Sequence, residues 1–168
     1  MREKPSYASR FTKSLLASYN LSMTTIKQKA FVYITYQNKL LVFIHPHAPE
    51  AGIQVPAGTV KDGEDTAVAA LREAVEETGL ADFTMQSFLG EATFHDHTKN
   101  EIHYRFFYHL TFDTSPQERW QNFETDPCAG TDNSYLFEFY WVDLTQEYPN
   151  LIAQHDAFLP QLMTHLLK

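Results

Sequence analysis

The chain has 168 residues, a length typical of one domain. Hydrophobic residues make up 43% and charged residues 20%, and this composition excludes a disordered chain. The 13 basic residues against 21 acidic residues give a net charge of −8 at pH 7, which argues against a protein that binds a nucleic-acid polymer through its phosphates.

The cysteine content and the hydropathy pattern bear on the compartment. The single cysteine, Cys128, excludes an internal disulfide framework and favours a reducing compartment. No apolar run approaches the roughly 20 residues of a membrane span, and the N-terminus lacks the apolar core of a secretory signal. The sequence therefore predicts a cytoplasmic, soluble protein that does not bind membranes.

Residues 1–22 differ in composition from the rest of the chain. They contain four basic residues, one glutamate and several serines. An organelle transit peptide has such a composition, but a short tail ahead of the domain is the simpler interpretation. We therefore predict an N-terminal tail of residues 1–22 and one domain of residues 23–168.

The apolar periodicity becomes β-like from Ala30. The turn residues Gln37-Asn38-Lys39 between two apolar runs predict a hairpin. Further along, Gly79 is typical of a helix C-cap, and Asp65 is predicted to cap the same helix at its N-terminus. The predicted elements are strands at residues 31–35, 40–44, 53–55, 83–89, 102–112 and 136–142, a polar loop at 113–134, and helices at 65–78 and 155–167, the last started or interrupted by Pro160. This order predicts a mixed α/β domain.

The first predicted helix has an unusual acidic face. At about 100° per residue, Glu73, Glu76 and Glu77 lie within an arc of roughly 100°. The opposite face is predicted to be the buried stripe and consists of Val68, Leu71, Ala74 and Val75. Like charges at spacings of three and four residues destabilise a helix by about 0.2–0.5 kcal/mol per pair, and the last helical turn disfavours anions.

Two interpretations of the acidic face are open from the residues alone. A solvated helix face is the commonest reason for a run of charges. A divalent cation is the alternative, since Mg²⁺ takes hard oxygen ligands such as carboxylates. Arg72 lies beside the glutamates and has the geometry to hold one carboxylate by a bidentate contact.

The spacing of residues 58–80 resembles the signature of the Nudix hydrolases at every polar and glycine position. The matching residues are Gly58, Glu64, Arg72, Glu73, Glu76, Glu77, Gly79 and the aliphatic Ala74 and Leu80. We call residues 58–80 the Nudix box. The resemblance implies an α/β/α sandwich around a mixed β-sheet. It also implies metal-dependent hydrolysis of the diphosphate linkage in a nucleoside diphosphate joined to another moiety, with water attacking phosphorus.

The resemblance also implies roles for the box residues. Glu73, Glu76 and Glu77, together with the carbonyl oxygen of Gly58, are the implied ligands of Mg²⁺ or Mn²⁺, and the three glutamates and Arg72 are the implied catalytic residues. Arg72 is expected to orient Glu73. A supporting role is implied for Glu64 in the preceding loop.

The general base differs among Nudix enzymes and is left open by the sequence. The candidates are Glu73, Glu76 and two glutamates of the polar loop, Glu118 and Glu124. Glu101 is a candidate for a further metal ligand.

The substrate-contacting residues are predicted outside the box. His103 and Arg105 share one face of the 102–112 strand, which is either a half-exposed sheet face or a wall that contacts phosphates. Glu124 is a third candidate. The expected partner is a small phosphorylated molecule, with a nucleotide favoured, and a homodimer stays open.

Two other functions occur on the same fold. A non-catalytic Nudix module for nucleotide binding or protein interaction typically lacks box glutamates, which are all present here. An isoprenoid-diphosphate isomerase needs a catalytic cysteine, for which Cys128 is the one candidate. The chain departs from the common Nudix pattern at Ile53, where many members have tryptophan, and at Ala57, where many have glycine.

Overall fold

The computed structural model describes residues 24–123 and 135–167, so the predicted tail of residues 1–22, Glu124 and Cys128 lie outside the described residues. The α-helices and strands are β1 (Thr25–Tyr36), β2 (Lys39–Ile44), β3 (Ala57–Thr59), α1 (Thr66–Thr78), β4 (Phe83–Asp96), β5 (Glu101–Phe112), β6 (Arg119–Phe123), β7 (Leu136–Asp143) and α2 (Leu159–Leu166). None of the described helices is long and apolar enough to cross a membrane.

The strands form one mixed sheet in the order β4-β5-β1-β2-β7-β6, with β3 paired to β1. The central pair, β1 and β5, is parallel along its whole length, and the other ladders are antiparallel. Apolar side chains on both faces of β1 explain its central position, because such a strand has to be covered on both sides.

The sheet opens between β1 and β2. These strands pair only next to their turn, at Thr35 with Leu40 and at Tyr36 with Lys39. The chain of residues 53–59 fills the gap: Gln54 bridges to β2, and β3 pairs with β1. This opening brings the start of the box to the middle of the sheet.

The two helices cover opposite faces of the sheet. On the side of α1, the alanines of the helix pack with Val32 and Ile34 of β1 in one apolar cluster. On the other side, Leu159 and Leu162 of α2 pack with Tyr33 in a second cluster. The predicted α/β/α sandwich around a mixed sheet is therefore confirmed.

The predicted caps of α1 are confirmed. The Asp65 carboxylate accepts hydrogen bonds from the backbone N–H groups of Ala67 at 2.8 Å and Val68 at 3.3 Å. At the other end, Gly79 adopts a left-handed conformation with φ of 69°, and its N–H donates to the Val75 carbonyl.

The predicted buried stripe of α1 is wrong at two of its four positions. Val68 is 56% exposed and Val75 is 45% exposed, whereas Leu71 packs on the core and Ala74 is fully buried. The remaining buried residues of the helix are Ala69, Ala70, Glu73, Glu77 and Thr78. The helix therefore turns its alanines and two of its carboxylates inward, since small side chains allow close approach to the sheet.

Several predicted boundaries need correction. β1 begins at Thr25, five residues before the predicted start of the β-like pattern, because its first residues pair with the start of β5. The predicted polar loop contains β6, which pairs with β7. β4 continues to Asp96 along β5, and α2 begins at Leu159, with Pro160 in its first turn.

Candidate active site

Arg72 joins the box loop to the box helix. All five of its N–H donors are directed at oxygen acceptors. The Glu64 carboxylate accepts from Nε at 2.8 Å and from Nη2 at 2.9 Å, and Nη2 also donates to the Thr59 carbonyl at 3.0 Å. Nη1 donates to Glu73 at 2.7 Å and to Glu76 at 2.9 Å. The structure thus has Arg72 oriented toward Glu73, and the bidentate partner is Glu64.

Glu64 supports this network as a fixed anion. Its hydrogen bonds with Arg72, and next the N–H of Lys61 at 2.8 Å, lower the pKa of the Glu64 carboxyl to about 2. The same hydrogen bonds raise the pKa of Arg72. Both groups are therefore charged at neutral pH, and the loop is held to the helix by a charge-assisted pair.

Glu73 lies directly over Gly58. A Cβ atom at position 58 would stand 1.8–2.1 Å from the carboxyl atoms of Glu73, so only glycine leaves room for this side chain. The carboxylate is nearly buried, and burial raises its pKa above the ordinary value. The Gly58 backbone is fixed by its pairing with Ala30 of β1. Gly58 thus leaves the space that the Glu73 carboxylate occupies, and we call this space the Gly58 cradle.

Glu77 is the second buried carboxylate of the helix. It accepts a hydrogen bond from the Ala57 N–H at 3.2 Å, while Glu76 is only partly covered. A solvated helix face is therefore wrong for Glu73 and Glu77. Three glutamates next to the Gly58 cradle form an oxygen-rich donor set that fits a hard divalent cation. Such a cation would offset the negative charge of the glutamates that Arg72 does not neutralise.

The C-terminal end of α1 is fixed by β6. Trp120 donates from Nε1 to the Thr78 carbonyl at 2.9 Å, and its ring stacks on Phe139. Asn122 donates to the Glu77 carbonyl at 2.7 Å and to the Glu76 carbonyl at 3.3 Å. Trp120 therefore anchors β6 to the helix and to the core. Asn122 was missed, because nothing in the sequence shows that this segment pairs with β7 beside the helix.

A cavity of about 800 Å³ opens beside Glu77. Three basic residues line it, Lys29, Lys99 and Arg105, together with aromatic rings from β1, β2, β4 and the start of β7. His103 also lines it. His103 and Arg105 are 8% and 4% exposed, so the half-exposed sheet face is wrong and both residues belong to the cavity wall.

A second group of potential metal ligands lies where β4 ends and β5 begins. Ligand atoms of Asp96, Glu101 and His103 lie within 4.8 Å of one another. His103 Nε2 is 2.8 Å from Glu101, and Lys27 forms an ion pair with the same carboxylate at 2.6 Å. These two contacts lower the pKa of Glu101. Glu118, the candidate base of the polar loop that lies within the described residues, is exposed just before β6.

Residues 26–163 match the profile of the NUDIX domain, which is most of the chain. The chain belongs to the Nudix family. Because this domain match covers most of the chain and the Nudix box is complete, the chain is a Nudix-type pyrophosphohydrolase. No curated protein matches it in a sequence search.

Solved structures share this Nudix fold. A MutT NUDIX hydrolase from Burkholderia pseudomallei is 20% identical, with 82% of this chain and 98% of that chain covered and a TM-score of 0.59. The MutT protein from Methanosarcina mazei Go1 is 16% identical, with 87% and 99% covered and a TM-score of 0.60. A UDP-X diphosphatase is 16% identical, with 85% and 63% covered and a TM-score of 0.57.

Sequence reasoning missed Lys29 and His155 as cavity residues of this Nudix domain. Lys29 stands two positions before Phe31 on β1, and the alternation of a strand places both side chains on one face. This alternation could have predicted that Lys29 lines the cavity. No pattern in the sequence indicates the position of His155, since it reaches the cavity from the segment that precedes α2.

Proposed function

We propose that this Nudix protein is a cytoplasmic, divalent-metal-dependent hydrolase that cleaves the diphosphate linkage of a small substrate of the nucleoside diphosphate-X type. The observation that carries the proposal is the pair of buried carboxylates, Glu73 over Gly58 and Glu77 on the cavity wall. Two buried anions on one helix are costly unless a cation compensates them. The basic residues in the same cavity suit the phosphates of a substrate.

Glu73, Glu76, Glu77 and the Gly58 carbonyl would hold Mg²⁺ or Mn²⁺, which supplies charge neutralisation at the diphosphate and lowers the pKa of water. Arg72 keeps the carboxylates in position. Water attacks one phosphorus, the bond from that phosphorus to the bridging oxygen breaks, and the departing phosphate leaves with that oxygen.

A carboxylate accepts the proton of the attacking water. Glu73 and Glu76 are the candidates in the described site. Burial raises the pKa of the Glu73 carboxyl, so Glu73 is more basic than an ordinary carboxylate. On the substrate side, His103 and Arg105 contact the phosphorylated ligand from the cavity wall, and Glu124 is proposed as a further contact. The intact and hydrogen-bonded box favours catalysis over a non-catalytic module.

The proposal is tested with a panel of nucleoside diphosphate compounds and Glu77→Gln. Chelation should abolish hydrolysis, and added Mg²⁺ or Mn²⁺ should restore it. Without metal, Glu77→Gln should be as stable as the wild type or more stable by a few tenths of a kcal/mol, because like-charge repulsion is relieved. Mg²⁺ should raise the Tm of the wild type more than that of Glu77→Gln, and turnover of the variant should fall by orders of magnitude.

The exposed Glu147 provides the matched control, since Glu147→Gln makes the same chemical change away from the box. It should keep both the Mg²⁺-dependent rise in Tm and the turnover. Full activity in excess chelator would contradict the metal requirement. A structural role of Glu77 would show as lost stability in the metal-free variant with turnover per folded molecule preserved.

A further inference from the structure

Arg105 is a buried cation with unused donors. Its guanidinium carbon lies 3.6 Å from the ring centre of Phe94 and 4.8 Å from that of Phe31. Nη1 donates to the Ala153 carbonyl, whereas Nε is buried and has no hydrogen-bond partner among the described residues. Within those residues no carboxylate forms an ion pair with this guanidinium.

Such an arrangement is unfavourable for the protein on its own. A buried charge is costly unless it is paired, and a buried donor without an acceptor adds to the cost. Burial lowers the pKa of Arg105 to about 10, so the side chain is still a cation at neutral pH. An anionic ligand in the cavity would supply both the missing charge and the missing acceptor.

Lys29 is the neighbour of Arg105 on the adjacent strand. Lys29 of β1 is in register with Arg105 of β5 on one side and with Thr59 of β3 on the other. Strands lie about 4.8 Å apart, so the backbones of Arg105 and Thr59 are separated by roughly 10 Å. The guanidinium stacks most closely on Phe94 of β4, which is on the side of β5 away from β3. The Arg105 guanidinium therefore lies farther from β3 than the two phosphates that the box would hold.

His155 completes the group as a neutral donor. Its Nδ1 accepts from the Val55 N–H at 3.4 Å, which places the ring proton on Nε2. Burial, and then the charges of Arg105 and Lys29, lower the pKa of His155 to about 3. All three side chains line the same cavity.

We infer that Lys29, Arg105 and His155 form an anion subsite that binds a phosphate group of the substrate other than the two joined by the cleaved bond. This inference rests on the proposed function, because it assigns the substrate class of the same cavity. The substrate then carries at least three phosphate groups, either as one chain, as in a nucleoside triphosphate, or as a diphosphate with a separate phosphate on its sugar.

The subsite is tested first with inorganic phosphate and metal-free, full-length protein, against chloride at equal ionic strength. Phosphate should raise the Tm of the wild type and shift the imidazole NMR signals of His155. Arg105→Met should abolish both effects, while circular dichroism and the Mg²⁺-dependent rise in Tm show that the variant is folded. Arg119→Met is the matched control, because Arg119 also stacks on a ring, that of Tyr140, but is exposed on β6. It should retain both effects.

The second test compares a nucleoside triphosphate, its diphosphate and the 3′-phosphorylated diphosphate in the presence of Mg²⁺. The wild type should prefer one of the two compounds with a third phosphate, and which one it prefers identifies the source of the anion. Arg105→Met should lower kcat/KM for that compound by at least about tenfold more than it lowers kcat/KM for the plain diphosphate.

The outcomes separate the two proposals. The subsite would be overturned if Arg105→Met lost kcat/KM equally on all three compounds. It would also be overturned if phosphate changed neither the Tm nor the imidazole NMR signals of His155 in the wild type. Absence of Mg²⁺-dependent hydrolysis across the substrate panel would overturn the proposed function, whereas the phosphate measurements on metal-free protein would still decide the subsite.

Discussion

Gly58 decides whether the Glu73 carboxylate has a place in the site. In Gly58→Ala the new methyl group would overlap that carboxylate, so Glu73 has to move. We expect stability to fall by about 1–3 kcal/mol, the usual effect of overpacking. We also expect kcat/KM to fall by about 100-fold or more, since Glu73 is a metal ligand in the proposed mechanism and its displacement would misplace the ion. Urea unfolding and steady-state kinetics measure the two effects.

Gly63, in the same loop, separates crowding from backbone strain. A Cβ there would meet no atom within 4 Å, but its φ of +75° is unfavourable for alanine. Gly63→Ala should therefore lose about 1 kcal/mol of stability and keep its activity. Equal losses of activity in the two variants would show that loop conformation, and not the cradle for Glu73, is what matters.

At the level of elements, β6 fixes the end of the box helix. Asn122→Ala removes the side-chain donor to two terminal carbonyls of α1. We expect a loss of about 1–2 kcal/mol, because those carbonyls lose a neutral hydrogen-bond donor. The stabilisation by Mg²⁺ that we propose should also decrease, since two of the proposed metal ligands, Glu76 and Glu77, lie in the freed turn. Thermal melts with and without Mg²⁺ measure both.

Gln121 is the neighbouring control on the same strand. Its side chain donates to Glu138 on the exposed side, away from the helix. Gln121→Ala should change stability by less than about 0.5 kcal/mol and leave the response to Mg²⁺ unchanged. If both variants weaken that response equally, β6 acts only through its pairing with β7.

At the level of the whole molecule, two buried histidines make stability depend on pH. Burial lowers the pKa of His109 to about 4, and His109 hydrogen-bonds to Thr35 at 2.8 Å, while the pKa of His155 is about 3. Between pH 6.5 and about 4 the unfolded chain binds protons at these sites that the folded protein does not. The free energy of unfolding should therefore fall as the pH is lowered through this range.

Each histidine contributes up to about 1.4 kcal/mol per pH unit. In His109→Gln the slope between pH 6.5 and 5 should decrease by about that amount, because glutamine does not titrate and can still bond to Thr35. Urea unfolding at a series of pH values measures it. The lowered pKa of Glu64 acts only below about pH 4.5 and does not disturb this range. An unchanged slope would show that His109 is protonated in the folded protein.

The N-terminal tail gives a second prediction for the whole molecule. Because β1 begins at Thr25, deletion of residues 1–22 should leave the fold and the hydrolysis intact. Deletion of residues 1–27 should destabilise the protein, since it removes the first pairs of β1 with β5 and the Lys27–Glu101 ion pair. Circular dichroism, Tm and turnover compare the two. An insoluble or inactive 23–168 protein would show that the tail belongs to the folded unit.

The sequence by itself determined the local features of the box. Asp65 and Gly79 end the helix through contacts within a few residues, and the glutamate spacing places three carboxylates on one arc. Such features depend on short-range geometry, which the chain carries without reference to its other parts. The fold class followed from the resemblance that these residues establish.

Tertiary structure decided which face of that helix is buried. Hydrophobicity predicted Val68 and Val75 inside, but the small side chains of Ala70 and Ala74 pack on the sheet and bring Glu73 over Gly58. Likewise, β6 forms by pairing with β7, and Arg105 is buried by rings from two other strands. These outcomes depend on residues far apart in the chain, and their free energies outweigh local preferences only once the sheet has assembled.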